Sequence, residues 1–333
     1  MQKRILKSLL FVLVVLSLVA CSAQQTAAPT EEPAPAEKPF RVAMVFPGPI
    51  NDQSWNQSGY SGLTRIENEL GAEVAFRENV PLTDVEEAMR TFASEGYDLV
   101  IGHGDQFSEA SNVVAPEFPD VKFAVVNGMY TADNLASIAL FDEQVTYLAG
   151  VVAAKISQSG KIGYIGGLEI PPVVRNGVGL EMGAKSVNPD IEVVTTYLGS
   201  FTDAAKGKEA ALAMAEQGVD VIYYYVDQAM IGIHEAATEK NIKLIGCIFD
   251  QHDLLPDLIV TSAVQDTATA IFLTAKDAKD GKFEGKQLLY GLDSGAIDLA
   301  PFYDMVPADV EQAVKQAKED IISGKIVIER TEG

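Results

Sequence analysis

Cysteine is nearly absent from this 333-residue chain, occurring only at positions 21 and 247. Two cysteines are too few for a disulfide-stapled scaffold or a cysteine-based zinc site. Histidine is almost as scarce. His103, His234 and His252 lie far apart and lack paired-ligand spacing, so no metal is expected. Positive charge is in short supply too, with 25 Lys and Arg against 47 Asp and Glu and a net charge of −22. That excess disfavours nucleic acid and anionic membrane as direct partners, since both need a basic face. Catalytic signatures are missing: no nucleophile elbow, no Walker loop, no paired histidines. The segment GYIGG at 163–167 lacks dinucleotide-loop spacing. No cofactor and no enzymatic activity are expected. Tryptophan occurs once, at Trp55, in the stretch GPINDQSWNQSGYSGL.

What is present begins with an address. Lys3, Arg4 and Lys7 precede an apolar run from Leu9 to Val15, and Leu18-Val19-Ala20-Cys21 follows. The run is short for a span, which needs ~20 residues. Its end resembles the bacterial lipoprotein box, which implies a signal peptide over 1–20, cleavage before Cys21 and a lipid on that sulfur. With Cys21 read as lipidated, Cys247 has no partner. Several acyl chains on one cysteine give stable anchoring where one would be marginal. Residues 21–39, rich in Ala, Pro, Glu and Gln, bury too little to offset ordering entropy and read as a disordered tether.

From Arg41 the pattern alternates. RVAMVF (41–46), EVAFREN (73–79), DLVIGHG (98–104), KFAVVNG (122–128) and SIALFD (137–142) read as strands. Between them fall helical spacings, the first being 55–70 with Tyr60, Leu63, Ile66 and Leu70 on one side and Gly71 closing it. The rhythm restarts at 143 with strands at 161–167, 192–199, 220–226, 243–250 and 257–265. Strands separated by helices of this length imply parallel sheets covered on both faces. Two such runs imply an α/β chain of two doubly wound, Rossmann-like domains. The expected lobes are 40–142 with about 266–290, and 143–265 with about 291–333.

In such sheets ligands bind beyond the carboxyl ends of the strands, and the cleft between two facing sheets is the default pocket. The expected ligand-binding residues are therefore Phe46, Asn51, Asp52, Trp55, Asn56, His103, Phe107, Asn127, Tyr225, Asp227, Asp250 and Gln265. Rings among them suit the faces of a flat solute and polar groups suit its edge. Trp55 reads either as core on the helix stripe or as a stacking wall; Asn56 and Gln57, which a core would leave unpaired, favour the wall. His103 reads equally as a satisfied strand-end histidine or as a ligand. Asp250 reads as a helix cap or as an acceptor for two hydroxyls. Tyr225, last of the run 223–225, is the candidate second wall.

NDQSWNQSGYSGL resembles the signature of the basic membrane protein family, lipoprotein binding components of ABC importers, generally for purine nucleosides. NPDIEVVTTYLGSFTDAAKGKEAALAMAEQGVDVI, FDQHDLLPDLIVTSAV and YGLDSGAIDL agree with it. The resemblance implies a type I periplasmic-binding fold, with the stacking aromatic at Trp55 in place of phenylalanine and the ribose-binding aspartate at Asp250. It also exposes departures. Phe46 and Asn127 stand where aspartates are usual, and Gln265 where a ribose-contacting lysine is usual. The polar code therefore differs.

The resulting expectation is a lipid-anchored, extracytoplasmic, monomeric binder. It closes around a purine nucleoside or a free nucleobase and delivers it unchanged to a permease and its ATPase. A nucleoside hydrolase and a surface receptor or adhesin on the same scaffold are the rival readings.

Overall fold

Short runs with apolar side chains on both faces cannot lie at a surface, and here they become the interior strands of two sheets. The computed structural model describes residues 38–51 and 55–330. The first sheet contains β1 (Arg41–Val45), β2 (Glu73–Arg77), β3 (Leu99–His103), β4 (Lys122–Val126), β5 (Leu135–Leu140) and β11 (Gln287–Tyr290). Their order is β11-β5-β4-β3-β1-β2, parallel throughout. The interior strand β1 is fully buried from Val42 to Val45, whereas β2 at the edge is half exposed.

Helices cover both faces. Leu63 and Ile66 of α1 (Trp55–Leu70) and Ala270 and Ile271 of α8 (Thr267–Lys279) pack on one side. Val85 and Phe92 of α2 (Val85–Ser94) and Val114 of α3 (Ser108–Val114) pack on the other. Gly71 ends α1 at φ 63, the left-handed backbone that an L side chain resists.

The second sheet contains β6 (Lys161–Gly166), β7 (Glu192–Tyr197), β8 (Val221–Tyr225), β9 (Lys243–Ile248), β10 (Ile259–Gln265) and β12 (Ile297–Leu299), in the order β12-β10-β9-β8-β6-β7. Its helices are α4 (Asp142–Ile156), α5 (Pro171–Val187), α6 (Ala204–Glu216), α7 (Met230–Lys240) and α9 (Ala308–Ile322). Consecutive tyrosines show how two faces are covered. The Tyr223 hydroxyl donates to Asn176 of α5 at 2.6 Å, while the Tyr224 hydroxyl pairs with His234 of α7 at 2.7 Å. Both rings are buried, and each phenol keeps the partner that burial demands.

Both sheets belong to one compact unit beginning at Pro39. The chain crosses between them three times, after β5, after β10 and after β11. All three strands leave at their carboxyl ends. Because the neighbouring strands are parallel, the carboxyl ends of both sheets gather beside the crossovers. Phe141 N–H donates to Tyr290 O at 2.9 Å, and Asp266 N–H to Ala296 O at 2.7 Å, tying the crossing segments together.

One strand departs from the expected parallel pairing. β12 runs antiparallel to β10, with Gln265 opposite Ile297. It re-enters the second sheet at the crossover, where β10 finishes, so it can only run the other way.

Candidate functional site

The wall of the first sheet is built around α1. Trp55 opens this helix half-buried, and its indole lies on the imidazole of His103, ring centres 4.3 Å apart and planes 22° apart. His103 ends β3 and is wholly buried. Its Nε2 meets the Trp55 carbonyl at 2.8 Å; a carbonyl only accepts, so this nitrogen carries the proton. Gly59, one turn into α1, lets the imidazole in, since a Cβ there would lie 2.6 Å from His103 Cε1. The histidine is thus a pedestal for the indole. No other ring of the described residues stacks on Trp55, which is half-buried against the core of the first sheet.

Phe46 and Phe107, expected among the lining residues, are core residues instead, both 0% exposed. Phe46 packs on His103 at 5.4 Å and on Phe76 at 6.3 Å, and Phe107 packs beneath Gly102 on the α2–α3 side. Both sit near strand ends, but their side chains turn into the sheet layer. Asn56 is buried against Gly48, whereas Asn51 is exposed. Asn127 is exposed at φ 58, a left-handed conformation that asparagine tolerates better than most residues. Asp52 and Cys21 lie outside the described residues.

On the second sheet, Tyr225 is partly exposed at the end of β8. Burial, with Asp142 and Asp227 nearby, pushes its phenol well above the usual range, so the hydroxyl stays protonated. A second aromatic, absent from the expected set, stands beside it. Phe201 follows β7 and lies over Gly167, where a Cβ would collide with its ring. Its carbonyl accepts from Asp227 N–H at 3.0 Å and Ala229 N–H at 3.1 Å. Asp227 itself is exposed.

Asp250 is engaged by the protein. Its Oδ2 accepts from the Tyr303 hydroxyl and its Oδ1 from His252 N–H at 3.1 Å, while His252 stacks on Tyr303 at 3.7 Å. The cause lies two residues earlier. Ile248 has φ 68, and Phe249 N–H donates to Cys247 O at 2.7 Å, a tight three-residue turn of the strained hand. A β-branched residue rarely accepts such a backbone. The turn folds the chain back along the sheet, so that Gln251 N–H reaches Ser262 Oγ at 3.0 Å.

A polar cluster that sequence spacing did not reveal occupies the crossover end of this sheet. The Arg175 guanidinium lies 3.9 Å from Asp142 and 3.9 Å from Glu143, all three buried. Its Nε makes no hydrogen bond among the described residues. Burial pushes the Asp142 carboxyl up to about 7, against the pull of Arg175 and Arg330. Arg330 donates to Leu140 O at 2.7 Å. Beside them Gln265, 4% exposed, donates to Asn176 Oδ1 at 3.0 Å.

An open groove of about 590 Å³ runs along the outer side of α1, lined by Asn51, Tyr60 and Arg65 among others. Of the expected ligand residues it contains only Asn51, and it is a separate feature from the strand ends. No group of three His, Cys, Asp or Glu among the described residues could hold a metal ion. No helix among them is long and apolar enough to cross a membrane.

Comparison with known proteins bears on what such walls hold. The family described as ABC transporter substrate-binding protein PnrA-like, Bmp, matches residues 40–332. The chain is similar to an ABC transporter nucleoside-binding protein of Lactococcus lactis subsp. cremoris, 33% identical over 302 residues, covering 84% of this chain and 86% of the relative. It is 31% identical over 294 residues to a purine-binding protein of Brucella abortus, covering 87% and 83%. Among solved structures it resembles a transcriptional activator of the comK gene from Bacillus halodurans, with a TM-score of 0.77 and 29% identity, covering 87% of this chain and all of the other.

Proposed function

The chain belongs to the Bmp family of ABC transporter substrate-binding proteins, and from that premise we propose that its solute is a purine, taken as the nucleoside or the free base. The solute lies at the facing strand ends and passes unchanged to the permease and ATPase of an importer. The observation that carries this reading is Trp55: a half-exposed indole mounted flat on a buried histidine at the mouth of α1. A core tryptophan would have both faces covered, and a surface one would have no pedestal. On the other sheet, Phe201 and Tyr225 supply rings at the corresponding ends. Rings grip the faces of a purine, and Asn127, Gln265 and Arg175 supply donors and acceptors for its edge.

Contacts to both lobes favour the closed state, which the crossovers permit by hinge motion. Closure is the signal to the permease, and nothing in this cycle breaks a bond in the solute. A lipid on Cys21 holds the body at the extracytoplasmic face of the membrane, as a monomer. The net charge of −22 disfavours direct contact with nucleic acid.

Mass spectrometry of small molecules released from freshly purified protein, with calorimetric titration of inosine and hypoxanthine, tests the reading. Recovery or micromolar binding of a purine supports it. Binding of neither, with a non-purine recovered, refutes it.

A further inference from the structure

We infer that Asn176 fixes the side-chain amide of Gln265, so that Gln265 presents the solute with a hydrogen-bond acceptor and the solute must answer with a donor; this rests on the solute-binding reading above. The Pro172 carbonyl can only accept, and it lies 2.8 Å from Asn176 Nδ2. The opposite amide orientation would set two oxygens face to face, so the nitrogen end is fixed there. Asn176 Oδ1 is thereby turned the other way, where the Tyr223 hydroxyl donates to it at 2.6 Å. The Gln265 amide meets the same oxygen at 3.0 Å and must offer Nε2. Asn176 is 0% and Tyr223 1% exposed, so a flipped amide would set two acceptors together in a buried site, where an unpaired polar group is costly.

Oε1 of Gln265 is then the remaining end. It receives no hydrogen bond from the described residues, yet it is not among the fully enclosed unpartnered atoms. Gln265 is the last residue of β10, at the crossover between the sheets. An acceptor held in one orientation at that place meets an N–H or O–H of the solute. On a purine nucleoside the groups that qualify are the lactam N1–H, an exocyclic amine and a sugar hydroxyl; on the free base the imidazole N–H joins them. A carbonyl or a bare ring nitrogen aimed there is rejected. Gln265 is the contact, and Asn176 is its positioning residue.

The test is a calorimetric double-mutant cycle on the full chain with inosine and hypoxanthine. Probes that lack one donor each accompany them: 1-methylinosine, 2′-deoxyinosine, 3′-deoxyinosine and 9-methylhypoxanthine. Gln265→Met should weaken binding of the better parent purine by about five- to tenfold, the worth of one hydrogen bond. One donor-deleted probe should lose a similar factor against the unmodified chain and nothing further against Gln265→Met. Asn176→Leu should weaken the parent purine several-fold when Gln265 is present and leave its affinity unchanged in the Gln265→Met background. Asn176→Ser serves if leucine is not accommodated. Equal losses in both backgrounds would make Asn176 merely structural and overturn the inference, as would full affinity in Gln265→Met. The side-chain amide protons of Gln265, identified by their absence in Gln265→Met, should shift and exchange faster in ligand-free Asn176→Leu; unchanged signals overturn the fixed orientation. If neither purine binds, the proposed function fails, and the amide measurement still decides whether Asn176 holds Gln265.

Discussion

Replacing Trp55 with alanine removes a ring that packs within the protein and, on the proposed reading, against the solute as well. The inner neighbour is His103, stacked at 4.3 Å. An aromatic pair of this kind contributes about 0.5–1.5 kcal/mol beyond simple burial. The hydrogen bond from His103 Nε2 runs to the Trp55 backbone carbonyl and survives the substitution. The fold should therefore hold, with Tm lower by a few degrees at the ~2–4 °C per kcal/mol of a chain this size. On the proposed reading the outer neighbour is the solute. Stacking a base on an aromatic contributes ~1–3 kcal/mol. Because His103 covers one face, only a single face remains for the solute, and the lower half of that range applies. Affinity for inosine or hypoxanthine should fall about tenfold, close to 1.4 kcal/mol. Trp55→Phe, which keeps a smaller ring, should lose less. Calorimetry measures the loss, and the unmodified chain offers an independent signal because Trp55 is its only tryptophan. Saturating purine should change the emission of that indole. An alanine variant that binds within twofold of the parent, or an emission unmoved at saturation, would refute the stacking role.

Other consequences are as direct. Since burial raises Asp142 to about 7, the folded chain keeps a proton there that the unfolded chain releases near pH 4, so this group's contribution to stability declines as pH rises from about 4 to about 7. The decline is on the order of 2–4 kcal/mol, and Asp142→Asn should narrow the gap between Tm at pH 5 and at pH 8; an unchanged gap would exclude Asp142 as its source. Gly183 of α5 faces the Tyr147 carbonyl of α4 so closely that a Cβ there meets backbone. Gly183→Ala should cost about 1–3 kcal/mol in thermal or urea unfolding, and a neutral result would show that the helix pair can separate freely. Cys247 is buried, which pushes its thiol up to about 12. The folded protein should leave it unmodified by Ellman's reagent at pH 8 and expose it in guanidinium; rapid native labelling would contradict its burial.

The alternation of strand and helix was readable because burial writes it into composition. Strands covered on both faces, such as Val42–Val45 and Leu99–Ile101, must be apolar without a break. Helices facing a sheet on one side must repeat apolar residues at helical spacing, as Leu63 and Ile66 do. The antiparallel β12 was not readable, since three residues carry no direction of their own and the point of re-entry decides it. Nor was the cluster of Asp142, Glu143, Arg175 and Arg330, whose members come from three places in the chain. One signal was available for Arg175: a guanidinium and an amide side by side in the otherwise apolar opening of α5, where exposed charge would be unremarkable but buried charge needs partners.

The strand-end rule places backbones, and the side chains then divide according to which way each strand hands over its last residue. Phe46 and Phe107 stand beside carboxyl ends yet are buried in the core, a distinction that position alone does not make. Phe201 stands beside an end, partly buried over a glycine, and the list drawn from strand ends left it out. Asp250 shows the limit most clearly. Extending β9 by two residues would carry an aspartate to the crossover region, but the left-handed turn at Ile248 takes the chain back and delivers the carboxylate to Tyr303. An isoleucine is a costly residue for that turn, and an asparagine or aspartate would adopt it with less strain. The second sheet therefore offers an apolar group at the end of β9 and a neutral acceptor at the end of β10. On the reading proposed above, a polar contact there comes from Gln265 and the buried network behind it, while the Asp250 carboxylate is held by Tyr303 and His252 N–H.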